Sequence, residues 1–113
     1  MQFVAEKAGT PNLSKQTEND QQKRMIHMFL QKAKKLMAEK KFKESKEVLN
    51  GALKLAPTSH NLHFNMGNAM FLSCDFTQAL AAYRGALHYA AEDATNPSRF
   101  DIVHNMGGAA KQM

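Results

Sequence analysis

The chain has 113 residues and a formal charge of +5, a length that allows one domain with a modest core. No run of about 18 apolar residues is present, which excludes a membrane-spanning helix, and Met1 to Gly9 lack the basic leader and apolar core of a signal peptide. The single cysteine, Cys74, has no partner for an internal disulfide, so an intracellular, cytoplasmic setting is expected.

Residues 1–18 read as a flexible tail. Thr10-Pro11-Asn12 is turn chemistry, and Ser14 to Asp20 is almost wholly polar. Residues 19–113 read as one helical domain. Thr17 or Asn19 is expected to cap a first helix from about Asp20 to Lys40. Its apolar stripe is Met25, Met28, Phe29, Ala33, Leu36 and Met37, with Lys32 as the one charged member. A second helix is predicted from Lys43 to Leu55, burying Leu49, Ala52, Leu53 and Val48, and Pro57 stops it. Ser59 caps a third, ending near Ser73, with Leu62, Met66, Gly67, Ala69 and Met70 inward. Asp75 or Thr77 opens a fourth, whose inner side is Ala79, Leu80, Tyr83, Ala86 and Leu87. Asn96-Pro97-Ser98 is a loop. Ser98 with Asp101 three residues on forms a capping box before a fifth helix striped by Ile102, Val103, Met106 and Ala110. Alternating runs, the signature of strands, are absent.

The helices repeat. Phe29, Ala33, Leu36, Phe42, Leu49, Ala52 and Leu53 are answered by His63, Gly67, Met70, Phe76, Tyr83, Ala86 and Leu87, at a step of about 34 residues that belongs to helical hairpins. The pattern restarts near Phe100 after a longer step, which places the extra residues either in an extended fourth helix through Ala90-Ala91 or in an enlarged 93–98 loop. Repeat 1 spans about 26–57, repeat 2 about 60–93 and a partial repeat 3 about 98–113. A hairpin cannot bury its own apolar faces, so it stacks on neighbours and leaves one side open. The fold class is therefore all-α, with antiparallel hairpins stacked in a short array of two and a half repeats.

These positions resemble the tetratricopeptide repeat. Its pattern is carried by Phe29, Ala33, Leu36, Ser45, Leu49, Ala52 and Pro57 in the first copy. The second copy has His63, Met66, Gly67, Met70, Ala79, Tyr83 and Ala86, and Val103, Met106, Gly107 and Ala110 open a third. Lys32 stands where the family has an apolar residue, His63 where it has an aromatic, and Ala91 where a proline is expected. The small residues let paired helices approach closely. Asn65-Met66-Gly67-Asn68, Tyr83-Arg84-Gly85-Ala86-Leu87 and His104-Asn105-Met106-Gly107 are further similar to the longer repeats of intraflagellar transport proteins. That likeness implies a subunit or fragment of a ciliary transport assembly.

The resemblance implies a concave groove lined by the first helix of each hairpin. On that basis the partner-binding residues are Leu30, Lys34 and Met37, with His27, on the first helix. The third helix supplies Asn61, Phe64, Asn65, Asn68, Phe71 and Leu72. The fifth supplies Asp101, His104 and Asn105, with Gly108. Apolar groups on such a wall suit a peptide or helix of another protein, and asparagines can hold a peptide backbone through paired donors and acceptors. Co-chaperones of this family grip an acidic chain end with a clamp of lysines, arginine and asparagines. Only Asn65 matches that clamp here, and Asp101 is expected to repel a carboxylate, so the clamp is rejected.

The expected function is a protein-interaction module, scaffold or adaptor, with self-association through the fifth helix as a further expectation. A secretion-type or co-chaperone protein holding an unfolded client is the alternative. So is weak, salt-sensitive nucleic-acid binding through the lysine-rich first hairpin. No aromatics interleave with those lysines and no glycine-rich phosphate loop is present, so the lysines read as a solvated face. No nucleophile pairs with a base and no carboxylates converge, so no catalytic residue and no cofactor is expected. His60 and His63 sit one turn apart without further ligands, so no metal is expected either.

Overall fold

The computed structural model describes the backbone of residues 2–113 and the side chains of residues 20–113. Five helices follow in order: α1 Gln2–Ala38, α2 Phe42–Leu55, α3 His60–Leu72, α4 Phe76–Tyr89 and α5 Arg99–Gln112. No strand occurs among the described residues. Each helix packs against its neighbours in the chain, and α3 also touches α1. The architecture is all-α: two consecutive helical hairpins with a fifth helix laid on the second. No helix among the described residues is long and apolar enough to cross a membrane.

The two hairpins are copies in three dimensions as well as in sequence. α1 ends at Ala38 and α3 at Leu72; α2 covers Phe42–Leu55 and α4 Phe76–Tyr89. Every one of these boundaries is offset by 34 residues. The turns between paired helices match bond for bond. Lys40 and Cys74 adopt left-handed φ values of 64° and 65°. Behind them, Lys41 N–H donates to the Leu36 carbonyl at 2.8 Å and Asp75 N–H to the Met70 carbonyl at 2.8 Å. Lys40 N–H reaches Met37 at 3.0 Å, and Cys74 N–H reaches Phe71 at 2.9 Å. This is the closing motif that satisfies the last free carbonyls of a helix, and it ordinarily places glycine at the left-handed position. Here a lysine and a cysteine occupy it, each against a steric penalty of about 1–2 kcal/mol.

Two apolar clusters hold the helices. The first joins α1, α2 and α3 through Leu30, Ala33, Leu49, Ala52, Leu62, Met66 and Ala69. The second joins α4 and α5 through Ala79, Tyr83, Ala86, Ala90, Ile102 and Ala109, with Phe64, Met70 and Phe71 packed against it from α3. Ser45 is fully buried, and its hydroxyl donates to the Ala33 carbonyl at 3.0 Å across the first hairpin. In the second hairpin that level of α4 is occupied by Ala79, also fully buried.

Several expectations need correction. α1 begins far before Asp20, so Thr17 and Asn19 lie within the helix rather than at its start. The polar residues before Asp20 include good helix formers such as Gln16 and Glu18, which do not interrupt a helix. Side chains of the expected tail, including Met1, Phe3 and Val4, lie outside the described residues. The buried stripe of α1 is turned relative to the predicted one. Met25 and Met28 are exposed, while Leu30 is buried with Ala33 and Leu36. Burying Lys32 would strip its ammonium of water, and the observed phase leaves it in solvent. In α5 the inner residues are Ile102, Met106 and Ala109, whereas Val103 and Ala110 face outward. The longer third step is a loop and not an extended helix: α4 stops at Tyr89 and residues 90–98 connect it to α5. The Arg99 guanidinium ties that loop down, its Nη1 donating to the carbonyls of Leu87 at 3.1 Å and Ala90 at 2.9 Å.

Gly67 is where the second hairpin closes most tightly. A Cβ there would lie 2.5 Å from Cε1 of Tyr83, a fully buried ring, whereas a Cβ at Gly107 on α5 would meet nothing within 4 Å. Gly67→Ala should therefore cost about 1–3 kcal/mol, and Gly107→Ala should gain about 0.5–1 kcal/mol from helix propensity alone. Urea denaturation of the two variants would show opposite shifts of midpoint. By the same measurement, Lys40→Gly should gain about 0.5–1 kcal/mol by removing left-handed strain, part of that relief being offset by the greater freedom of the unfolded glycine.

Candidate functional site

The inner side of the stack carries a cleft of about 530 Å³ lined by Lys34, Met37, Asn65, Asn68, Phe71, Leu72, Tyr83, His104, Asn105 and Gly108. Three helices contribute the walls that their repeat positions dictate. Lys34 and Met37 come from the last turns of α1, where the buried stripe gives way to the solvent face. α3 supplies Asn65, Asn68, Phe71 and Leu72, which recur at three- and four-residue steps and so share one side. His104, Asn105 and Gly108 come from α5. Phe71 packs edge-on against Phe76, the ring centroids 5.3 Å apart. Leu72 is half exposed.

Five residues expected at the site are placed elsewhere. Leu30 is part of the first core, 8% exposed, because α1 is rotated toward α2 and α3. Phe64 does not line the cleft; it packs on the second core with its ring against Tyr83, centroid to centroid 5.8 Å. Asn61 does not line the cleft but supports it from one turn below. Its carbonyl accepts from Asn65 Nδ2 at 2.9 Å, and its Oδ1 accepts from the same nitrogen at 2.6 Å. Asp101 is locked at the start of α5. Its Oδ2 accepts from Ser98 N–H at 3.0 Å, and Ser98 Oγ accepts from Asp101 N–H at 3.1 Å. The Ser98 backbone N–H first, and the Ser98 side chain after it, hold the Asp101 carboxyl below the usual carboxylate range. The repulsion expected of Asp101 toward an acidic ligand thus has no place in the cleft, whose lining contains Lys34 and His104 and no carboxylate. His27 also lies outside it, exposed on α1 and paired with Gln31.

Tyr83 is the lining residue that periodicity hides. Its position on the inner stripe of α4 marks it as core, and its ring is indeed buried, 1% exposed. Because Gly67 lacks a Cβ, the ring slides across the α3 backbone and delivers its hydroxyl to the cleft floor. There the hydroxyl donates to Asn68 Oδ1 at 2.6 Å, and Asn105 Nδ2 donates to the same oxygen at 3.0 Å. One carbonyl oxygen thus joins α3, α4 and α5. The only advance sign was the pairing of a glycine with an aromatic at equivalent levels of two helices.

These bonds fix what the asparagines offer to a ligand. Asn68 spends its oxygen on Tyr83 and Asn105, so its amide N–H groups are left for the cleft. Asn65 spends its amide nitrogen on Asn61, so its oxygen is left. An amide donor and a carbonyl acceptor one turn apart match the two halves of a peptide group. Beside them, Met37, Phe71 and Leu72 give an apolar wall. Among the described residues no group of three or more His, Cys, Asp or Glu side chains is placed to hold a metal ion. His60 Nε2 is buried without a partner, while His63 Nε2 bonds the Pro57 carbonyl at 2.8 Å. No family model matches this chain, and no curated protein does so.

Burial pushes the Tyr83 phenol up to about 12 from its ordinary 10.0, against a smaller downward pull from Asn105. The native state holds that proton more tightly than the unfolded chain does. The resulting stabilisation is complete below pH 10 and is lost as pH rises from 10 toward 12, by an amount on the order of 2–3 kcal/mol. Tyr83→Phe should lower stability at neutral pH by about 1–2 kcal/mol. It should also flatten the alkaline loss, read as the difference between wild-type and variant urea midpoints from pH 8 upward.

Proposed function

We propose that this chain is a protein-interaction module that binds a short segment of another protein in the cleft between α1, α3 and α5. The observation that carries the reading is the pairing of an apolar wall, Met37, Phe71 and Leu72, with Asn65 and Asn68, which keep an acceptor and a donor of the kinds a peptide group needs. A cleft of about 530 Å³ has the size of an ordinary ligand site and takes two or three side chains with their backbone. Its only charged or titratable linings besides the phenol are Lys34 and His104, which favour a neutral or acidic segment over a basic one.

The duplicated hairpins, with small residues at Ala33, Gly67, Ala52 and Ala86, support membership of the tetratricopeptide repeat class. In that class a scaffold or adaptor role within a larger intracellular assembly follows from the open inner face. The likeness of the 65–68, 83–87 and 104–107 segments to intraflagellar transport repeats makes a ciliary assembly the first place to seek the partner.

Panning a displayed random-peptide library against the chain tests the proposal. Selected peptides should combine apolar side chains with at least one acidic or neutral polar residue. Leu72→Asp, at a half-exposed position, should leave helicity unchanged and weaken those peptides about tenfold or more, by setting a charge in the apolar wall. Peptides that bind wild type and Leu72→Asp equally would place the binding surface elsewhere.

A further inference from the structure

The two ends of the helical stack both present apolar side chains to solvent. On α5, Phe100 is 78% exposed and Val103 52% exposed. Gly107 follows on the same face, with open space where a Cβ would stand. On α1, at the opposite end, Met28 is 69% exposed and Met25 47% exposed. None of these residues lines the cleft.

The ends differ in charge. Residues 20–55 carry ten lysines and arginines against four acidic residues, whereas residues 56–113 carry three against four. Around Met25 and Met28, helical spacing sets Arg24, Lys32 and Lys35, all exposed. The exposed charges of α5 and its preceding loop are Glu92, Asp93, Asp101, whose Ser98 bonds favour its ionised form, and a single cation, Lys111, in the last turn. Arg99 is occupied by the carbonyls that close α4. The α1 face is therefore bordered by cations, and the end of the α5 face that holds Phe100 and Val103 by carboxylates, with Lys111 two turns beyond Val103. Two α1 faces would repel one another, and two α5 faces would bring like charges together, but an α1 face against an α5 face is complementary.

We propose that the chain associates head to tail, with Phe100 and Val103 of one copy packed on Met25 and Met28 of a second. Gly107 gives the incoming helix room to approach α5 closely. Glu92, Asp93 and Asp101 then face Arg24, Lys32 and Lys35. The two contacting surfaces are different patches, so the contact is heterologous: each pair keeps one free patch of either kind and further copies can add. The cleft is left open, although Phe100 also stacks on the cleft residue His104, ring centroids 6.2 Å apart.

Sedimentation velocity on the chain of residues 1–113, from low micromolar to sub-millimolar concentration, tests this. Wild-type mass should rise with concentration and fall with added salt. Val103→Asp and Met28→Asp, both at exposed positions and both expected to keep wild-type circular dichroism, should each weaken association about tenfold or more. An equimolar mixture of the two variants should recover dimers and nothing larger, because each variant retains the patch the other has lost. The proposal is overturned by a monomeric wild type at every concentration, or by a mixture that fails to dimerise. It is equally overturned if Met28→Asp associates like wild type while Val103→Asp does not, which would signify α5 pairing with α5.

Discussion

The absence of one side-chain carbon at Gly67 governs the second half of the molecule. Without it the Tyr83 ring can lie against the α3 backbone, bury itself almost completely and carry its hydroxyl through to Asn68. The same Asn68 oxygen then takes the amide of Asn105, so α5 is tied to α3 by a polar contact while the burial of Ile102 and Ala109 holds it on α4. A phenol buried in this way is costly unless its hydroxyl finds an acceptor. The acceptor it finds is also what orients the asparagine toward the cleft. Packing and the chemistry on offer at the inner face are thus set by a single close approach.

The first hairpin solves the equivalent problem differently. Ala33 and Leu49 stand where Gly67 and Tyr83 stand, and a buried serine hydroxyl on the Ala33 carbonyl replaces the phenol–asparagine bond. Leu49 brings no polar atom, so no hydroxyl emerges at that level of the inner face. The polar part of the cleft is consequently concentrated on α3 and α5, and the first hairpin contributes a methionine and the stem and charge of Lys34. Two copies of one hairpin have therefore diverged in what they expose while keeping the same boundaries and the same turn.

Much of the fold was readable from residue order because the repeat supplies an internal control. A position whose helical phase is ambiguous in one copy is checked by its counterpart in the other. That is why α2 and α3, and the start of α4, fall within a residue or so of expectation, and why Ser59 and Ser98 cap as predicted and Asp75 proves to be the cap of the two candidates before α4. α1 has no copy before it and no breaker near Asp20, and both its start and the phase of its stripe were misread. The inner face was partly legible. Lys34, Met37, Asn65, Asn68, Phe71, Leu72, His104 and Asn105 do converge, because a three-to-four residue step keeps them on one side. Leu30 and Phe64 were misplaced, since a face assigned by opposition to the core is uncertain by about one residue, or roughly 100° of helix. Asp101 was misplaced because a capping carboxylate is bent back toward its own backbone. Tyr83 could not be found by periodicity at all: its ring belongs to the core and only its last atom belongs to the cleft.

The Arg99 guanidinium links two elements that would otherwise end independently. α4 lacks the left-handed closing turn that finishes α1 and α3; its last carbonyls are met by a side chain from the first residue of α5. If α5 lifts away, the final turn of α4 loses its hydrogen-bond donors at the same moment, and fraying of that turn releases α5's anchor. The two segments form one cooperative opening unit, whose backbone amides would exchange with solvent through a shared event rather than separately. Whatever docks on the outer side of α5 therefore also sets how often the end of α4 unwinds.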